Sequence, residues 1–253
     1  MAEMTVQTQF FGGRRVARAI VWLGLVLGIA CAAAELLSGF GYRFGWWSFR
    51  EGIAVMRVAG WSALGAVAVS LIGVIAEGAA HDRLGAAFVA LVISALALGF
   101  PAYYYYQVQH LPRIHDISTD TENPPRFVAL IEARSGAENQ VDYSPQTAAQ
   151  QKEGYPDIAP ARLEVPPAAA FERALAAARA MRWDIVASNP EEGRIEATAT
   201  TLLFGFKDDV AIRITPDGAG SRVDVRSLSR VGRSDFGTNA KRVRAYLKAL
   251  APT

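Results

Sequence analysis

Long apolar runs dominate the first half of the chain. Residues 19–37, 58–76 and 84–106 form three such runs, and Glu35 is the only charged residue within them. An α-helix rises about 1.5 Å per residue and needs roughly 20 apolar residues to cross the hydrocarbon core of a bilayer. The pattern therefore predicts an all-α region of three transmembrane helices in residues 1–112.

The polar pattern changes at residue 113. Residues 113–253 carry 19 basic and 19 acidic side chains, so this neutral, soluble part gives no bulk electrostatic reason to bind nucleic acid. Nine of the twelve prolines lie within residues 101–167, and proline opposes regular structure. We therefore expect residues 113–165 to be an extended arm, laid across the domain or tethering it, and residues 166–253 to be its core.

Periodic apolar positions predict the elements of this core. Phe171, Leu175, Ala178 and Met181 recur at helical spacing, which indicates a helix over 167–182. Alternating apolar residues and short turns then predict strands at 183–188, 194–201, 209–215 and 222–229, before a last helix over 237–250. This order predicts an α+β fold, a four-stranded antiparallel sheet with both helices on one face. The other face would be charged and solvated, with Glu196, Thr198, Thr200, Arg213, Arg222, Asp224 and Arg226.

The membrane runs contain small residues four apart, a spacing that lets helices approach closely. These stripes predict a compact bundle, and they comprise Gly24, Gly28, Ala32; Ser62, Ala66, Ser70; and Ala86, Ala90, Ser94. Glu35 and Glu77 lie near the ends of their runs, so we expect both side chains to reach the interface. This expectation argues against transport, because no charge remains at mid-membrane.

The arginines flanking the runs bear on orientation. Arg14, Arg15, Arg18 and Arg83 on one side nearly balance four arginines on the other, and the first helix usually dominates. This rule favours a cytoplasmic N-terminus and, after three crossings, a C-terminal domain outside the cytoplasm. A cleaved signal peptide is the alternative, but its apolar region usually spans about 7–15 residues, shorter than the first run.

The soluble part holds few residues that bind metals. His115 and, just before this part, His110 are the only histidines on the soluble side, and the single cysteine, Cys31, lies in the first apolar run. Asp208 and Asp209 are adjacent in a strand, so their side chains would point to opposite faces. We therefore expect no metal site and no cofactor, and the absence of a Gly-x-Ser-x-Gly elbow disfavours a conventional hydrolase.

An ordered series of motifs runs through the soluble part. They are IHDISTD at 114–120, NPPRF at 123–127, YPDI at 155–158, IEAT at 195–198, FKDDV at 206–210 and DVRSLSRVGRSDFGTNAKR at 224–242. The series resembles the domain of unknown function family DUF1499, in a membrane-anchored bacterial form. The resemblance implies a bacterial or organellar envelope protein and carries no established activity. The element order is also similar to the helix-grip domains of outer-membrane assembly lipoproteins, at the level of fold alone.

Polar residues are dense where the last strand meets the last helix. Backbone N–H groups at a helix start favour anions, and arginines add charge-assisted hydrogen bonds. The candidate anion site comprises Arg226, Arg230, Arg233, Ser234, Asp235, Asn239 and Arg242. The alternative is a structural cap, in which Ser234, Asp235 or Thr238 satisfies the helix N-terminus.

Two functions remain open from the sequence. The first is a cell-envelope module of the inner membrane, with a periplasmic domain that binds an envelope protein or an anionic lipid. The second is an enzyme that acts on envelope lipid or glycan through the Arg/Asp cluster within residues 230–242. We expect the bilayer to be a partner in both cases.

Overall fold

A computed structural model describes residues 2–80 and 84–250, with side chains for 13–79 and 84–250. It divides into two compact units with separate cores. The helical unit extends to Tyr106 and includes Leu203–Gly205, and the α+β unit comprises Gln107–Leu202 and the chain from Phe206 onward.

The helical unit contains α1 (Ala2–Arg43), α2 (Phe49–Ala80) and α3 (Leu84–His110) as far as Tyr106. The stretches Gly13–Arg43, Phe49–Ala79 and Leu84–His110 are each long and apolar enough to cross a membrane. This result confirms the prediction of three long apolar helices. Arg83, which entered the orientation argument, lies outside the described residues.

Small residues bring the three helices together. A Cβ atom on Gly24 would lie 2.5 Å from Ser70 Oγ, and one on Gly28 would lie 2.6 Å from Ser94 Oγ. The two serine hydroxyls also hydrogen-bond to each other across α2 and α3, at 3.1 Å. Larger residues at either glycine would separate the helices.

Part of the predicted packing pattern is wrong. Ser62 and Ala86 are exposed, whereas Ala63 and Ala87, one residue later, are buried. A spacing of four drifts around a helix of 3.6 residues per turn, so a stripe extended by fours leaves the interior.

The burial of the two glutamates was not expected from the sequence. Glu35 is 6% exposed and Glu77 is 2% exposed. Glu35 lies on the interior stripe of α1, four residues after the buried Cys31 and three before the buried Ser38. The helix therefore directs its side chain inward.

The α+β unit is built on an antiparallel sheet. Its strand order is β1-β6-β5-β4-β3, with β2 also pairing with β6. The strands are β1 (Asp116–Ser118), β2 (Ala161–Leu163), β3 (Asp184–Asn189), β4 (Arg194–Thr200), β5 (Lys207–Asp217) and β6 (Gly220–Ser229). Its helices are α4 (Pro145–Gly154), α5 (Pro167–Ala180) and α6 (Thr238–Leu250), with a 3₁₀ turn at Glu132–Arg134.

One sheet face carries the main core. Ile195, Ile212 and Val225 project from neighbouring strands and are almost fully buried against α5 and α6. Trp183 stacks on Tyr246 at a centroid distance of 5.1 Å, and the Tyr246 hydroxyl donates to the Ala174 carbonyl. The predicted antiparallel α+β fold is confirmed.

The sheet has six strands rather than four. The additional strands, β1 and β2, have three residues each and pair with β6 through the backbone. Three residues are too few to show the alternation that identifies a strand. Helix α4 also lies within the region expected to be irregular, and the Ser144 hydroxyl caps its N-terminus by accepting from the Thr147 N–H.

Segment 119–143 covers the other sheet face. The Glu196 carboxylate accepts the backbone N–H groups of Val128, Ala129 and Leu130, each at 3.0 Å. Phe127 and Leu130 also pack on Leu228 in a second apolar cluster. The expectation of a solvated face is therefore wrong, because Glu196, Thr198, Asp224 and Arg226 are buried, Arg213 and Arg222 are half-buried, and only Thr200 is exposed.

Candidate functional site at the junction of β6 and α6

The loop between β6 and α6 has a constrained backbone. Gly232 and Gly237 have positive φ angles of 89° and 76°. At Gly237 a Cβ atom would also lie 2.8 Å from Leu111 Cδ1, so this position combines a left-handed backbone with a close approach. These constraints fix how the chain enters α6.

Asp235 caps α6. Its Oδ1 accepts the Gly237 N–H at 2.8 Å and its Oδ2 accepts the Asn239 N–H at 2.9 Å. Desolvation raises the pKa of Asp235 to about 6, although these two hydrogen bonds act in the opposite direction. Ser234 makes a smaller local contact, in which its hydroxyl accepts the Phe236 N–H. Asp235 therefore already occupies the anion position at this helix start.

Asn239 joins three parts of the unit. Its Nδ2 group donates to the His115 carbonyl at 3.0 Å and to Ser229 Oγ at 2.9 Å. Its Oδ1 atom accepts from Ser227 Oγ at 2.7 Å and from Arg242 Nη1. Asn239 is fully buried, and these contacts hold α6 against β6 and the segment that enters β1.

Arg242 and Arg230 pair with neighbouring aspartates on β5. Arg242 Nη2 donates to Asp208 Oδ2 at 2.5 Å. Arg230 donates to both carboxylate oxygens of Asp209, at 2.8 and 2.9 Å. Adjacent strand residues point to opposite faces, so Asp208 and Asp209 hold the two arginines on opposite sides of the sheet. The structure therefore does not bring Arg230 and Arg242 to a common pocket.

Arg226, another of the predicted site residues, lies on the face covered by segment 119–143. It is 3% exposed and forms a paired contact with Asp116, with Nε to Oδ1 at 3.0 Å and Nη2 to Oδ2 at 2.7 Å. Its guanidinium lies between the rings of Phe127 and Tyr143, 5.1 and 5.4 Å from their centroids. Desolvation raises the pKa of Asp116, and Arg226 opposes that rise.

Arg233 differs from the other predicted arginines. Its side chain is exposed, and its guanidinium has no partner within the part of the chain that the structure describes. It lies beside Gly232 in the loop, and its carbonyl oxygen is 3.5 Å from His115 Nδ1. Of the seven predicted site residues, Arg233 is thus the cation most available to an external group.

A second basic surface was not predicted. A depression of about 360 Å³ lies beside segment 119–143, with Arg126, Arg194 and Arg213 in its wall. Arg126 is exposed, and the described residues offer its side chain no partner, whereas Arg194 and Arg213 pair with carboxylates. The sequence places Arg126 in a proline-rich segment and gives no signal that this segment lies on the sheet.

One buried hydroxyl near α6 has no hydrogen bond. Tyr155 is 4% exposed, and no described residue pairs with its Oη atom. That atom would lie 3.4 Å from a Cβ atom on Gly237, and the Arg244 guanidinium lies 5.3 Å from the ring centroid. Among the described residues no three metal-ligating side chains come close enough to hold an ion.

The family assignment follows from residues 116–250. This span begins at β1 and ends at α6, and it matches the family profile described as "Protein of unknown function (DUF1499)". The chain belongs to this family. A search among curated proteins finds no match. The matched span contains all seven predicted site residues, together with the Asp116–Arg226 pair and the Glu196 contacts, and its description assigns none of them a role.

Proposed function

We propose that this DUF1499 chain is a membrane-anchored cell-envelope protein whose α+β unit is an extracytoplasmic binding module for a protein or anionic lipid. The pairing of interior charges carries the proposal. Asp116, Asp208 and Asp209 each hold an arginine inside the fold, at 2.5 to 2.8 Å. Carboxylates engaged in this way hold the structure together and are poorly placed to transfer protons to a substrate.

The surface cations support binding rather than chemistry. Arg233 and Arg126 are exposed, and neither guanidinium is paired with a described residue. An arginine fork suits a phosphate or a carboxylate, the groups that anionic lipids and acidic protein surfaces present. The proposal assigns first contact to Arg233, because its loop is fixed by the Asp235 cap and the Asn239 contacts.

The alternative is an enzyme that acts on envelope lipid or glycan through the Arg/Asp cluster. One observation favours it: a pKa near 6 would let Asp235 exchange protons at neutral pH. However, both oxygens of Asp235 accept backbone N–H groups of α6. Proton transfer by this group would disturb the helix start, so we place the enzyme second.

Site-specific photocrosslinking in native membranes tests the proposal. A photoreactive residue replaces Arg233 in the full-length chain, and a control chain carries it at Arg179, an exposed position on α5. We expect position 233 to yield a discrete adduct that mass spectrometry identifies as one protein or one anionic lipid, and position 179 to yield none. Identical adduct patterns at the two positions, or no adduct at 233, would count against the binding module.

A further inference from the structure

Glu35 has an unusual environment in the helical unit. It is 6% exposed, and its Oε1 atom accepts no hydrogen bond from the described residues. Ser38 lies one turn away, but its hydroxyl donates to the backbone carbonyl of Glu35 rather than to Oε1. An ionisable group within a membrane helix is costly unless a partner compensates it. Within the part of the chain that the structure describes, Oε1 has no such partner.

An apolar cleft adjoins this carboxyl group. It has a volume of about 350 Å³, within the range of about 300–1,000 Å³ typical of small-molecule sites. Glu35 is the one ionisable group among the described residues of its wall. The wall includes Ala32 and Leu36 of α1 and Ile93, Leu96, Ala97 and Phe100 of α3.

We propose that this cleft binds an amphiphile with a primary ammonium head, and that Glu35 receives the head. An ammonium group supplies three N–H donors and a positive charge, which suit a carboxyl oxygen without a partner. The aliphatic and aromatic wall would hold the apolar chain. An anionic amphiphile would place like charge beside an ionised Glu35, and a quaternary ammonium has no N–H to donate.

The position of Glu35 along α1 suits a lipid headgroup. Arg43, the last residue of α1, follows eight positions later, about 12 Å along the helix axis. Trp46 and Trp47 come next, and such rings mark the headgroup layer of a bilayer. An amine-bearing lipid could thus extend its head from the interface to Glu35. This inference rests on the membrane placement in the proposed function.

Native mass spectrometry of the full-length chain tests the proposal. The chain is released from nanodiscs that contain equal amounts of phosphatidylethanolamine and phosphatidylcholine with identical acyl chains. We expect a roughly tenfold preference for phosphatidylethanolamine adducts, the effect of one charge-assisted hydrogen bond. The preference should disappear in Glu35→Gln and persist in Glu77→Gln, which alters another buried carboxyl group of the same unit.

A second variant and a second probe complete the experiment. Leu96→Trp enlarges an exposed wall residue of the cleft and should reduce retention even if Glu35→Gln fails to fold. Dodecylamine added to phosphatidylcholine nanodiscs distinguishes a free amine from a lipid headgroup. Glu35-dependent retention of either probe supports the proposal, and equal retention of both probes by wild type and Glu35→Gln overturns it. A chain that does not enter nanodiscs would instead contradict the membrane placement.

Discussion

Asp208 and Asp209 are adjacent in the sequence, yet their side chains point to opposite faces of the sheet. Asp208 pairs with Arg242 of α6, whereas Asp209 pairs with Arg230 and with Arg134 of segment 119–143. The strand period of two dictates this division. Arg230 and Arg242 look like parts of one cluster in the sequence, but the structure places them on opposite faces of the sheet, each beside its own carboxylate.

Asp235 provides a pH-dependent prediction. Its pKa rises from 3.8 to about 6 on folding, so between these values the folded chain binds a proton that the unfolded chain releases. Stability should therefore decrease as pH increases through this window, by on the order of 1 to 3 kcal/mol, and level off above it. Thermal melts of the full-length protein in detergent from pH 4 to 8 measure this slope. The Asp235→Asn variant should lack it, and equal slopes in both proteins would refute the assignment.

Gly237 provides a steric prediction. Gly237→Ala adds the strain of a φ angle of 76° and a Cβ atom 2.8 Å from Leu111 Cδ1. Gly232→Ala is a matched control in the same loop, because its φ angle is 89° but the nearest atom to its Cβ would be 3.8 Å away. We expect both variants to lose about 1 kcal/mol from backbone strain, and Gly237→Ala to lose about 1 to 3 kcal/mol more from overpacking. Equal losses would show that Leu111 yields without cost.

Periodicity explains which elements could be predicted from the sequence. The strands β3 to β6 and the helices α5 and α6 each direct one apolar face toward the main core, so apolar residues recur at the period of the element. The strands β1 and β2 are too short to show a period, and α4 is mostly polar. The position of segment 119–143 depends on polar contacts across long sequence separations, such as Glu196 with Ala129. No local pattern encodes such contacts, so the covered face and the depression beside Arg126 could not be predicted.

The contacts of Glu196 on β4 with residues 128–130 lead to a prediction about segment 119–143. Glu196→Gln replaces one of two acceptor oxygens by a donor beside N–H groups of residues 128–130 and removes the charge that pairs with Arg194. We expect a loss of about 2 to 4 kcal/mol. Limited proteolysis should cut within residues 119–143 much faster than in the wild type. Thr200→Ala, at an exposed position of the same strand, is the control and should leave the cleavage rate unchanged.

At the scale of the whole molecule, the change from apolar to charged sequence near residue 110 coincides with the boundary between the two units. The helical unit holds the three apolar spans, and the α+β unit holds the family match and most of the ion pairs. Apolar length predicts the spans, but their orientation depends on a few flanking arginines. With these arginines nearly balanced, a small change in charge should have a large effect on topology.

Reporter fusions at the C-terminus test the proposed topology. We expect alkaline phosphatase to be active and a cytoplasm-dependent fluorescent protein to be dark, because three crossings follow a cytoplasmic N-terminus.

Replacing Arg14, Arg15 and Arg18 by Asn removes the positive charge that keeps the N-terminal end of the first helix in the cytoplasm. Phosphatase activity per chain should therefore drop severalfold, and fluorescence should appear. The matched control replaces three exposed arginines of the α+β unit, Arg173, Arg179 and Arg182, which lie far in sequence from the spans and should not change either signal. Fluorescence without phosphatase activity in the unmodified chain would place the α+β unit in the cytoplasm and contradict the extracytoplasmic binding module.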